Sequence, residues 1–139
     1  MKREAGALLE KAHRAVIAGK VLLRRGDADF AAGRAYYAML YAASALLVER
    51  GYRARGHGAV QRAFGKYFVR TGEFDPSFHQ WLLNAHDRRL AGDFDADLRL
   101  SAEDVRGAIQ QAQQFLLASR QYLARAAPRY FASSRRRPS

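Results

Sequence analysis

No cysteine occurs in this chain, so disulfides, thiolate metal ligands and cysteine nucleophiles are all excluded. Long apolar runs are missing too. The longest uncharged stretch, Ala35 to Val48, falls well short of the roughly 20 residues a membrane-spanning helix needs. Met1 to Glu10 is mixed polar and small, without the apolar segment of a secretory signal, which predicts a cytoplasmic protein. No strand-like alternation, internal repeat or interdomain linker breaks the 139 residues, which is the length of one domain. Neither a Gly-x-Gly-x-x-Gly loop, nor a Gly-Lys-Ser/Thr loop, nor a Gly-x-Ser-x-Gly elbow appears, so the usual nucleotide-loop and serine-hydrolase chemistries are closed.

Acidic residues are also scarce. Against 13 Asp and Glu stand 24 Lys and Arg, for a formal charge of +11. Four of those arginines (Arg129, Arg135, Arg136 and Arg137) lie after residue 126, and taking them away still leaves +7 on the body. Such a balance favours nucleic acid or an acidic partner; an arginine-rich compositional bias of the source accounts for it equally well.

What is present is helical periodicity. Ala5, Leu8, Leu9, Ala12, Val16, Leu22 and Leu23 predict a first helix from about Arg3 to Arg24. Gly26 to Asp29 makes a turn, with Asp27 or Asp29 available as a cap. A second helix follows from about Phe30 to Arg50 and stops at Gly51. It is apolar or aromatic nearly all round, which places it at the centre of the fold. A third helix starts near His57 and ends at Thr71-Gly72. Asp75-Pro76 opens a fourth with a cap followed by proline at the first helical position. Asp93 to Asp97 breaks the pattern, and Ser101 opens the last helix. The chain therefore reads as an all-α, antiparallel helical bundle of about five helices over residues 1–126, with a basic, disordered tail at 127–139.

Few residues are candidates for chemistry. Arg34, Tyr37 and Tyr41 share one face of the central helix. Arg88 and Arg89 stand where the apolar stripe of the fourth helix would continue, followed by Asp93 and Asp95. They read either as cations at a helix C-terminus or as a guanidinium pair, oriented by the two carboxylates and aimed at a phosphate. His57 lies between Gly56 and Gly58, which let a ligand come close to the backbone. His79 and His86 lack an acidic third ligand at helical spacing, so neither a metal nor any other cofactor is expected. Tyr37, Tyr41 and Tyr52 are the plausible stacking groups for bases.

The run Arg34-Ala35-Tyr36-Tyr37-Ala38-Met39-Leu40-Tyr41 resembles the central helix of HEPN-domain proteins. The likeness continues through His57-Gly58-Ala59-Val60, Phe64-Gly65-Lys66, Phe68-Val69-Arg70-Thr71-Gly72 and Phe74-Asp75, and ends on Arg88 to Asp95. It is narrowest to the small prokaryotic HEPN subfamily paired with minimal nucleotidyltransferases. The resemblance implies a helical bundle, often a homodimer, acting in a toxin–antitoxin or stress-response pair. Many HEPN relatives are metal-independent ribonucleases that use an arginine, four to six intervening residues and a histidine near the start of the last long helix. This chain departs from that pattern, because no histidine follows His86. Arg50 and His57 have the spacing but straddle Gly51, away from the expected helix.

The sequence thus predicts a HEPN-like module that binds RNA, a nucleotide or a small nucleotidyltransferase partner. Arg34, His57, Arg88 and Arg89 would supply phosphate-facing charge, Tyr37 would line the wall, and Asp93 and Asp95 would orient the arginines. Without the usual nuclease motif, the chain is expected not to cut RNA on its own; any activity it has would be that of a metal-independent ribonuclease. The alternatives are a ribonuclease toxin with His57 as a displaced catalytic histidine, and a plain protein-interaction bundle. A homodimer is expected, with Phe78 and Trp81 among the large residues not fully covered within one chain.

Overall fold

The computed structural model describes residues 1–97 and 99–136, with side chains described through Arg125. It contains five α-helices: α1 (Arg3–Arg24), α2 (Ala28–Glu49), α3 (His57–Phe64), α4 (Pro76–Phe94) and α5 (Ala102–Arg136). There is no strand among the described residues. The expected tail, 127–139, falls on residues whose side chains lie outside the described set; the helical backbone of α5 is traced to Arg136.

α2 packs against all four other helices. Its alanines explain how: Ala31, Ala32, Ala35, Ala38, Ala42, Ala43 and Ala45 are fully buried, so neighbours approach on every side while Tyr36, Met39, Leu46 and Leu47 fill the spaces between them. α1 and α2 are antiparallel, with the Lys2 backbone N–H donating to Glu49 at 2.6 Å and Gly19 facing Arg34 and the Ala31 carbonyl. α4 also runs against α2, since Gly92 abuts Asp29 and Gly33 abuts Arg89. α5 runs alongside α2 in the same sense, tied to it at one end by Asp29 and Leu100 and at the other by Arg50 and Tyr122.

Two boundaries differ from the sequence expectation. Asp27 occupies the N-cap position of α2 but makes no side-chain capping bond, and the Asp29 carboxylate instead accepts the Leu100 backbone N–H at 2.9 Å. The third helix is not uniform: α3 widens into a π-helical turn over Gly65–Val69, closed by Arg70 N–H donating to the Gly65 carbonyl. His79 packs beside that turn. Its ring lies on Gly65, where an added Cβ would come within 2.8 Å, and its Nε2 is 3.1 Å from the Gln61 carbonyl. Phe78 and Trp81, expected to be incompletely covered, are half-buried and pack edge-on to each other, with Phe78 also against Phe74 and Phe115.

Candidate functional site

The central helix sets the site. From α2, the half-buried Arg34 and Tyr37 point outward one turn apart, and the Arg34 guanidinium lies over the Tyr37 ring at 5.2 Å from its centroid. From α4, Arg89 reaches the same ring at 5.3 Å. Gly33 lies beside the Arg89 side chain, where an added Cβ would make an ordinary van der Waals contact at 3.7 Å. His57, exposed at the start of α3, stands edge-on to Tyr37 with centroids 5.4 Å apart. Three elements therefore meet on one tyrosine, which the chain connectivity alone does not require.

Below it lies a second, buried tyrosine. Tyr36 is fully enclosed, and its hydroxyl accepts from Gln61 Nε2 at 2.8 Å. Burial pushes its pKa up, against the opposing pull of the Gln61 hydrogen bond, so the phenol stays protonated. His86 and His57 rest against its ring at 5.3 and 5.8 Å. Tyr36 thus serves as a floor that fixes where Tyr37 and the imidazoles stand.

The charge at the site is unbalanced. Asp93 pairs with Arg89, its Oδ2 lying 3.1 Å from Nε one helical turn away. The N–H is not aligned on that oxygen, so the contact is an ion pair rather than a hydrogen bond. No carboxylate pairs with Arg34 among the described residues. Two guanidiniums around one ring repel each other. The face of the ring and Asp93 hold them, with each cation–π contact worth about 0.5–1 kcal/mol at such half-exposed sites.

The remaining sequence candidates lie differently. Arg88 is half-buried, and its Nη1 is shielded from solvent with no hydrogen-bond acceptor among the described residues. It is not one of the cations over Tyr37. Asp95 ends α4 and accepts the Asp97 backbone N–H at 3.1 Å. Tyr52 stacks face to face on Tyr67, with centroids 3.8 Å apart, rather than on Tyr37. Arg50 lies over Phe68 and bonds to Glu73 and Tyr122, whereas His57 faces Tyr36 and Tyr37, so that arginine and histidine are committed to different partners. Sequence reasoning weighed His86 only as a metal ligand and did not single out Lys11 of α1, whose ammonium lies over Tyr41 at 5.0 Å. His86, Arg89 and Asp93 follow at steps of three and four, which marks one helix face. Lys11 carries no such local signal, because its contact crosses between helices.

The family model described as HEPN domain matches residues 5–122. The chain belongs to the HEPN domain family. A relative from Methanocaldococcus jannaschii, named "Putative toxin", is 31% identical over 122 residues, covering 88% of this chain and 83% of its own. A "UPF0332 protein" of Gloeobacter violaceus is 27% identical over 125 residues, covering 89% of this chain and 99% of its own. A protein of the same name from Thermotoga maritima is 32% identical over 97 residues, with 70% and 74% covered. The all-α bundle is thus a HEPN fold. No helix among the described residues is long and apolar enough to cross a membrane. No three His, Cys, Asp or Glu side chains among the described residues are grouped to hold a metal ion.

Proposed function

We propose that this HEPN protein binds RNA through phosphates at Tyr37, as the toxin-like member of a two-component module whose partner is a small nucleotidyltransferase. The observation that carries the binding is the pair of guanidiniums, Arg34 and Arg89, on one tyrosine, with Asp93 the one carboxylate paired to them among the described residues. An anion between them relieves their mutual repulsion and gains charge-assisted hydrogen bonds at the same time. The exposed His57 imidazole beside them adds a further donor. The module reading rests on the toxin name of the archaeal relative and on family membership.

Fluorescence anisotropy with a labelled RNA tests the binding. Affinity should fall steeply as salt rises, and Arg34→Ala or Arg89→Ala should each flatten that dependence by about one phosphate contact. Salt-independent binding, or binding unchanged in the double variant, would remove the proposal. A second reading, a ribonuclease with His57 as the acid–base group, is favoured by one observation: His57 meets the same ring as both arginines.

A further inference from the structure

The cation–aromatic arrangement does not end at Tyr37. One turn further along α2, Tyr41 stacks on Tyr37 with centroids 5.9 Å apart and planes inclined by 29°. Over Tyr41 lies the ammonium of Lys11, contributed by α1 at 5.0 Å. Lys11 is exposed and has no carboxylate partner among the described residues. Cations from three helices therefore follow one tyrosine stripe: Arg89 from α4, Arg34 from α2 and Lys11 from α1.

We infer that Lys11 and Tyr41 form a second subsite, so that the surface takes two successive nucleotides of a single strand running from α4 across α2 to α1. This rests on the RNA-binding reading of the Tyr37 site and adds to it a direction and a minimum length. The step from one subsite to the next, 5.9 Å between the Tyr37 and Tyr41 ring centroids, is comparable with the spacing of consecutive nucleotides in an extended strand. A duplex would present its paired phosphates at a curved surface, whereas a single strand can follow a straight helix face and lay a base against the tyrosine edges. Lys11 acts as a point charge on a flexible stem, suited to a phosphate and indifferent to base identity.

The test is anisotropy with labelled oligouridylates of two and eight nucleotides, and with a blunt RNA duplex, at two salt concentrations. In the wild type the octamer should bind more tightly than both the dinucleotide and the duplex. Lys11→Ala should weaken octamer binding by about fivefold near 0.1 M salt and lower the salt slope by about 0.7, as loss of one single-strand phosphate contact requires. Binding of the dinucleotide, which without terminal phosphates carries a single phosphate, held at Tyr37, should not change. Tyr41→Phe, which keeps the ring, should behave as wild type, and Tyr41→Ala should behave as Lys11→Ala. Circular dichroism confirms that each variant is folded. An octamer that binds identically to wild type and Lys11→Ala overturns the second subsite while leaving the Tyr37 site standing. Preference for the duplex overturns the single-strand assignment. Failure of every RNA to bind overturns the RNA-binding reading itself, and the subsite with it.

Discussion

Glu73 collects more donors than any other carboxylate among the described residues: Arg50 at 2.9 Å, the Tyr122 hydroxyl at 2.7 Å and the Thr71 hydroxyl at 2.9 Å. Partial burial raises its pKa, but those three hydrogen bonds and the Arg50 charge outweigh burial and hold it below its usual value of 4.5. A carboxylate with a depressed folded-state pKa stabilises the fold fully above its unfolded pKa, and that contribution is lost as pH falls through the folded value. Glu73→Gln should therefore cost about 1 kcal/mol at pH 7, and the gap to wild type should close below pH 4.5. Urea midpoints measured from pH 7 to pH 3 check this, and a constant gap across that range would refute it. His57 illustrates the opposite condition. Its ring touches Tyr36 and Tyr37 but makes no hydrogen bond among the described residues, so nothing there fixes its tautomer or aims a nitrogen. A general base held this loosely is a poor catalyst, because the third, orienting group is what makes such a histidine work. Purified protein incubated with RNA in EDTA should leave the RNA intact, with wild type and His57→Ala indistinguishable. Cleavage abolished by His57→Ala would establish the ribonuclease instead.

Two glycines decide how the helices end and meet. Gly51 closes α2 at φ +81°, with Gly51 N–H donating to the Val48 carbonyl and Tyr52 N–H to that of Leu47. Gly51→Ala forces a side chain into the left-handed region and should cost about 1 kcal/mol, read as a lower urea midpoint with unchanged slope. Gly92 matters for a different reason. A Cβ there would stand 2.8 Å from the Asp29 carbonyl oxygen, a backbone atom that moves only if α2 and α4 separate. Gly92→Ala should cost about 1–3 kcal/mol, and a neutral result would mean that the helices are less tightly joined there. Gly51 could be read from the chain, since it ends an apolar periodic stretch, as could Asp75, whose carboxylate accepts the Ser77 N–H at 2.9 Å ahead of Pro76. Gly92 could not, because its partner is 63 positions away and no local pattern announces close approach. The same division holds at the site. Arg34 and Tyr37 share a helix face that spacing reveals, whereas which of Arg88 and Arg89 turns toward Tyr37 depends on the rotation of α4, which packing sets. The π-helical turn was also hidden, since nothing local in Gly65–Val69 announces it.

At the scale of the whole molecule, three of the large apolar side chains left exposed, Phe30, Leu90 and Phe94, lie on α2 and α4. Phe94 is 76% exposed and Phe30 62%, with Leu90 one turn before Phe94 on α4. The close contact of Gly92 with Asp29 brings the start of α2 and the end of α4 together, so Phe30 and Phe94 lie at the same end of the bundle. Each is the wrong residue for that much water contact, since exposed apolar area costs about 25 cal/mol per Å² relative to burial. A surface of this kind pairs with its own copy most economically, as a two-fold contact covers both copies of the patch in one interface. Arg89 and Asp93 stand on the same stretch of α4, so pairing there would set two cationic sites side by side. We therefore expect a homodimer built on Phe30, Leu90 and Phe94, not on Phe78 and Trp81, which are occupied within one chain. Light scattering coupled to size exclusion should give about twice the 15.6 kDa chain mass. Phe94→Asp should halve it while leaving helicity and thermal midpoint nearly unchanged, because so exposed a ring contributes little to the core. A wild-type chain that stays monomeric at high concentration would show that the patch is covered by a different protein or left bare.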